Sequence, residues 1–172
     1  VCGLDMASHA IVVNSESPWK TPQDFIADAK AKPGVITIGV SGIGGMSHLN
    51  AENFKLASGA DMKMVSFEGA AKSIAALAGK HIDAMSAQLG EVKSFVDAGE
   101  FRMLAVGDAE RHPAFPDVPT FKESGVDFQL TQYRVIWAPK GTPMDRVHII
   151  SDAVEKAMKT ESMKELLDNT LT

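Results

Sequence analysis

The stretch Val35–Phe54 constrains the fold more than any other part of the chain. It opens on the β-branched run Val35, Ile36, Thr37 and Ile38, which suits a strand buried on both faces. It then breaks into Ser41, Gly42, Gly44 and Gly45. Apolar residues resume at Met46, Leu49, Phe54 and Ala57, near helical spacing. The pattern is strand, glycine-rich turn, helix. Such a turn leaves backbone N–H groups uncovered at the positive end of a helix, and Ser41, Ser47 and His48 lie close by in sequence. A carboxylate or a phosphate would suit that place equally. The glycines alone would also serve a plain tight connection. Their spacing is neither G-x-x-x-x-G-K-[ST] nor G-x-G-x-x-G, so neither nucleotide fingerprint applies.

The rest of the chain repeats the unit. His9–Asn14 reads as a strand. Thr21-Pro22-Gln23-Asp24 starts a helix that Lys32-Pro33-Gly34 stops. Met62–Phe67 reads as a strand, followed by a turn at Glu68-Gly69-Ala70 and a helix through Ile74 and Leu77. Ile82–Ser86 is a strand, followed by a helix with Val92, Phe95 and Val96. Met103–Val106 is the next strand. Alternation at this spacing predicts an α/β domain on a parallel sheet with right-handed crossovers. Ligands of such sheets sit beyond the carboxyl ends of the strands, where the turns at Ser41, Glu68 and Ser86 fall. Arg111–Thr120, with Pro113, Pro116 and Pro119, reads as an ordered surface loop. A strand at Tyr133–Ala138 and a helix at Met144–Met158 close the pattern, with a short amphipathic segment around Met163, Leu166 and Leu167.

Composition excludes several functions. In 172 residues, 17 Lys and Arg against 22 Asp and Glu give a net charge of −5, with no basic run. Nucleic acid and anionic membrane are poor partners for such a surface. Cys2 is the sole cysteine, so no internal disulfide forms. His9, His48, His81, His112 and His148 are scattered without metal-ligand spacing, so no metal or other cofactor is expected. Ser47 and His48 are adjacent but lack a G-x-S-x-G elbow, and in a first helical turn they point apart. Arg134 lies in an apolar strand and needs a partner there. That partner is either a structural carboxylate or a ligand carboxylate held in bidentate fashion.

Several stretches taken together carry a family resemblance. They are Val40-Ser-Gly-Ile-Gly-Gly-Met-Ser-His-Leu, Val65-Ser-Phe-Glu-Gly-Ala-Ala-Lys-Ser, Leu77-Ala-Gly-Lys-His-Ile-Asp-Ala and Ala98-Gly-Glu-Phe-Arg-Met-Leu-Ala-Val. The proline-rich stretch from Arg111 to Gly125 and the turn Ala138-Pro-Lys-Gly-Thr-Pro complete the set. In order and over essentially its whole length, the chain resembles the extracytoplasmic solute receptors of tripartite tricarboxylate transporters, the Bug family.

The resemblance implies a periplasmic binding protein of type II, a two-lobed Venus flytrap that catalyses nothing. It would capture a small di- or tricarboxylate and deliver it to the membrane permease subunits of the transporter. It also implies the ligand contacts: Ser41, Gly42, Gly45, Ser47 and His48, then Gly69 and Ala70, then Ser86, Ala87 and Gln88. Tyr133-Arg134-Val135 resembles the Trp-Arg-Gly of the tricarboxylate branch, which adds Arg134. Ala87 stands where many relatives carry Asp, which argues against amino-acid recognition through that carboxylate.

Relatives carry a first-lobe segment ahead of the position of Val1. This chain begins there without a charged or apolar leader, and so reads as processed or as a fragment. The expected division is a first-lobe remnant and hinge strand in 1–14, a nearly complete second lobe in 15–130, and a second hinge strand with first-lobe helices in 131–172. Ile11–Asn14 and Tyr133–Ala138 should pair at the hinge. The helix Met144–Met158 should show an apolar stripe that a second copy of the chain covers in a dimer. Two other functions compete: the ligand-sensing domain of a cytoplasmic regulator, and a small hydrolase using His48.

Overall fold

The computed structural model describes residues 1–172. Six strands form one mixed sheet. In chain order they are β1 (Cys2–Asn14), β2 (Thr37–Val40), β3 (Lys63–Ser66), β4 (Ala84–Gln88), β5 (Phe101–Val106) and β6 (Thr131–Ile136). Helices α1 (Pro22–Ala31), α2 (Met46–Ser58), α3 (Ala70–Ala78) and α4 (Leu89–Asp97) fill the connections up to β5. Helices α5 (Met144–Met158) and α6 (Glu161–Thr170) follow β6. No helix is long and apolar enough to cross a membrane.

The sheet runs β3-β2-β4-β1-β5, with β6 paired to β1. β2 is parallel to β3 and β4, as the βα repeat predicts. The sheet is not wholly parallel, however. β1 inserts between β4 and β5 and runs antiparallel to both. Ile11, Val12 and Val13 are completely buried there because both sheet faces are covered at that position.

Ile11–Asn14 does not pair with the Tyr133–Ala138 segment as expected; β6 pairs antiparallel with an earlier part of β1. The front half of β1 makes the contact, from Cys2 opposite Ile136 to Ser8 opposite Thr131. Ile11–Asn14 lies in the main sheet, with Ile11 opposite Ser86 on one side and Ala105 on the other. The rear part of 1–14 therefore belongs to the same sheet as residues 15–130. β1 is also longer than its apolar pattern suggests, since Gly3, Asp5, Ser8 and His9 interrupt it.

β2 begins two residues later than the sequence pattern predicts. Gly34 takes a φ of +71° and the Val35 N–H closes a turn onto the Lys32 carbonyl, which leaves Val35 exposed. The Asp83 carboxylate then accepts from the Thr37 N–H at 2.8 Å and from its hydroxyl at 2.7 Å, fixing where the strand starts. α1 starts as expected: Asp24 N–H donates to Thr21 Oγ1 at 3.2 Å, and Thr21 N–H donates to Asp24 Oδ2 at 2.9 Å.

Alternation along β1 divides the core into two layers. Ile11 and Val13 face α1 and α2 and pack with Phe25, Ile38, Val40, Phe54 and Phe121. Ala10 and Val12 face α3 and α4 and pack with Leu77, Met85, Leu89, Val92 and Met103. Each large side chain so buried stabilises the fold by about 1.5–3 kcal/mol. α5 and α6 contribute no fully buried residue.

Candidate functional site

Because β3, β2 and β4 are parallel neighbours, Ser66, Val40 and Gln88 end on one edge of the sheet. Strands spaced about 4.8 Å apart bring the turns that follow them within reach of one small molecule. The turn expected at Ser86–Gln88 is instead the end of β4, which runs directly into α4, but the turns after β2 and β3 are tied to each other and α2 is tied to β4. Gly69 N–H donates to the Ser41 carbonyl at 3.2 Å, joining the turn after β3 to the turn after β2. The Asn50 side-chain amide donates to Ser86 Oγ at 3.0 Å, joining α2 to β4.

In the turn after β2, Ser41 N–H donates to Ser47 Oγ at 3.0 Å and the two hydroxyls lie 2.8 Å apart. Gly44 N–H donates to His48 Nδ1 at 3.2 Å. The turn is thus held by its own side chains. Gly42 (φ +153°) and Gly44 (φ +78°) have nothing within 4 Å of where a Cβ would stand. Backbone conformation, not crowding, requires glycine at Gly44.

The electrostatics of the helix starts separate two helices from the rest. α1, α4, α5 and α6 each carry an acidic side chain in the first turn: Asp24, Glu91, Asp145 and Glu161. α2 and α3 have none, and neither N-cap, Gly45 or Gly69, supplies a side-chain bond. The first helical bond of α2 is Leu49 N–H to Gly45 O, so the N–H groups of Met46, Ser47 and His48 have no acceptor within the helix. Glu68, just before α3, is matched by Lys72 at 2.6 Å. Two positive helix ends therefore share one strand edge with no side chain to complement them.

Arg134 projects from β6 toward the same region. Nη1 donates to Asp5 Oδ1 at 2.9 Å and Nη2 to Gln88 Oε1 at 3.0 Å. Of the two partners left open by the sequence, a structural carboxylate is present in Asp5. The remaining guanidinium donors are not engaged by side chains.

Of the sequence-predicted residues, Ser41, Gly42, Gly45, Ser47 and His48 lie in one turn, with Gly69 and Ala70 clasped to it. Ser86 is buried under α2, and Gln88 meets Arg134. Ala87 is fully buried in the α3–α4 layer, so its methyl group offers nothing to a ligand. The Ser47 hydroxyl turns to Ser41 and not to His48, whose Nε2 faces Glu52 at 3.7 Å. No three His, Cys, Asp or Glu side chains gather where a metal could bind.

Sequence reasoning missed three residues beneath the site. Asn50 is wholly buried with Oδ1 unpartnered, and His9 is 4% exposed with Nδ1 unpartnered. Asp5 neutralises Arg134. Burial holds the His9 imidazole below its ordinary pKa; the Asp108 carboxylate pulls the other way, and the Arg134 charge adds to the lowering. The available signals were a polar residue one turn before Phe54 on the inner helix face, and a histidine preceding an apolar strand core.

The largest surface groove, about 680 Å³, lies elsewhere, between the 108–114 loop, the β6 residues Thr131 and Tyr133, and the end of α6.

The family model described as the tripartite tricarboxylate transporter family receptor matches residues 1–171. The chain belongs to that receptor family. A relative from Cupriavidus necator, described as a UPF0065 protein, is 35% identical over 160 residues, spanning 93% of this chain and 49% of its own length. A TctC solute-binding protein from Polaromonas superposes with a TM-score of 0.81 at 31% identity, covering 98% of this chain and 58% of that one. An R. palustris protein solved with adipate gives 0.86 at 28% identity, covering 99% and 57%. The chain thus spans about half the length of the receptor family members it matches. Its fold is a lobe of the periplasmic-binding-protein kind.

Proposed function

We propose that the whole protein is a periplasmic solute receptor. It captures a small di- or tricarboxylate and delivers it to the membrane permease of a tripartite transporter, without catalysis. The observation that carries this reading is the pair of uncomplemented helix starts, α2 and α3, clasped on one strand edge. An anion at that edge would accept N–H bonds that no protein group satisfies and would meet two positive helix ends. The adipate in the R. palustris relative supports a carboxylate over a phosphate.

In this reading the ligand touches Ser41, Gly42, Gly45, Ser47, His48, Gly69, Ala70 and the Gln88 end of β4, and Arg134 supplies charge; Ser86 and Ala87, buried in β4, support the site from beneath. Residues 15–130, with the rear half of β1, act as one jaw. The front half of β1 and β6 form the hinge, and α5 and α6 belong to the other jaw. The apolar α5 face, with Ile149 and Ile150 exposed, supports self-association when the chain stands alone.

Mass spectrometry of small molecules released from the purified whole protein, followed by calorimetry with those molecules, tests the reading. A di- or tricarboxylate that binds stoichiometrically is the expected result. Release of only amines or sugars, with no carboxylate binding, overturns it.

A further inference from the structure

We infer that Asn50 is a positioning residue that sets where the uncapped start of α2 stands relative to the end of β4. The inference rests on the binding reading above, but its first test needs no ligand. Asn50 lies one turn into α2, immediately behind Met46, Ser47 and His48. Its side chain is completely buried and donates to Ser86 Oγ at 3.0 Å, and Ser86 is itself 1% exposed. This is the one side-chain hydrogen bond between α2 and β4.

The other end of the Asn50 amide abuts the exit of β5. A Cβ on Gly107 would stand 3.1 Å from Asn50 Oδ1 and 3.0 Å from the Leu130 carbonyl. Gly107 in turn donates its N–H to the His9 carbonyl at 2.8 Å and accepts from Leu130 N–H at 2.7 Å, just ahead of β6. Asn50 therefore ties α2 to β4 and lies against Gly107, whose backbone in turn holds Leu130 at the entry to β6.

An apolar residue would pack at this buried place without leaving Oδ1 unpartnered, so packing alone does not call for asparagine. A directional bond does what packing cannot. It fixes the rotation and height of α2 on the sheet, and with them the placement of the N–H groups that face an anion. Leu49 and Ala51, the neighbours of Asn50 in sequence, have no polar side chain with which to make such a bond.

The test is amide hydrogen exchange on the whole protein carrying Asn50→Leu or Ser86→Ala, with calorimetry against adipate alongside. Both variants should speed exchange of the Ser41, Gly44 and Gly69 amides by about fivefold or more, and leave Phe25 and Ala29 of α1 unchanged. Where the unsubstituted protein binds adipate, each variant should weaken it by a similar factor, and the double variant should be no worse than either alone. Unchanged exchange at Ser41, Gly44 and Gly69, or acceleration spread evenly through α1, overturns the inference. Failure of the unsubstituted protein to bind any carboxylate counts against the receptor reading instead, and the exchange result still decides the role of Asn50.

Discussion

Arg134 and Asp5 face each other across the β1–β6 ladder and close an ion pair at 2.9 Å, with side-chain exposures of 36% and 13%. The pair sits where β1 leaves the main sheet, so one guanidinium joins the β1–β6 ladder to the Gln88 end of β4. Removing either partner leaves the other partly buried and unpaired. Arg134→Ala should destabilise the protein by about 1–2 kcal/mol, the partial exposure of Arg134 keeping the figure modest. Asp5→Asn, which keeps a hydrogen-bond acceptor, should cost less. Urea unfolding of the two variants checks the order; an Asp5→Asn loss larger than the Arg134→Ala loss contradicts it.

His9 predicts a pH dependence. Its pKa is lowered in the folded chain from the ordinary 6.5, mainly by burial. The unfolded chain then binds the proton more readily, so folding stability is full above about pH 6.5 and declines as pH falls through the window between the two values. Asp108 and Arg134 are the charged groups that act on the ring. His9→Gln should flatten this part of the stability profile. Denaturant midpoints at pH 7.5 and pH 5 for both proteins measure it; parallel profiles would remove His9 as the cause.

Gly39 is a site of close approach. A Cβ there would stand 2.5 Å from Ile82 Cδ1, 2.7 Å from Ser73 Oγ and 3.3 Å from Phe67 Cε2. Gly39→Ala should cost about 1–3 kcal/mol through overpacking between β2 and α3. Thermal unfolding of the variant tests this, and an unchanged midpoint would mean that Ile82 and Ser73 move aside freely.

α5 presents Met144, Ile149 and Ile150 to solvent, and Trp137 just after β6 is 82% exposed. The 172-residue chain studied alone should therefore self-associate. Sedimentation should show a mass that rises with concentration, and Ile149→Glu together with Ile150→Glu should reduce it. A monomer at all concentrations contradicts the expectation.

The helices and the glycine turn were legible because their signals are local. Thr21 and Asp24 cap α1 within four residues, and Gly44 and Gly59 take positive φ where the pattern breaks. The insertion of β1 between β4 and β5 was not legible, since strand order depends on pairing between distant residues that no periodicity encodes. The split role of β1 escaped for the same reason: the pattern starts the strand at His9 and leaves Asp5 outside it, until Arg134 is placed beside Asp5. At the site, Ser41, Ser47 and Gly69 follow from the turn chemistry. Asn50 does not, because its meaning lies in Ser86, 36 residues away.

The central claim is that an anion occupies the edge formed by the starts of α2 and α3, and backbone amide chemical shifts test it most directly. Titrating the isotope-labelled whole protein with adipate should move the amides of Met46, Ser47, His48 and Ala70 most, through direct N–H bonds to the carboxylate, and those of Gly44 and Gly69, whose N–H groups already donate to His48 Nδ1 and the Ser41 carbonyl, less. Saturable shifts centred instead on Asp108–Ala114, Tyr133 and Asp168, around the large groove beside the β1–β6 ladder, would contradict it.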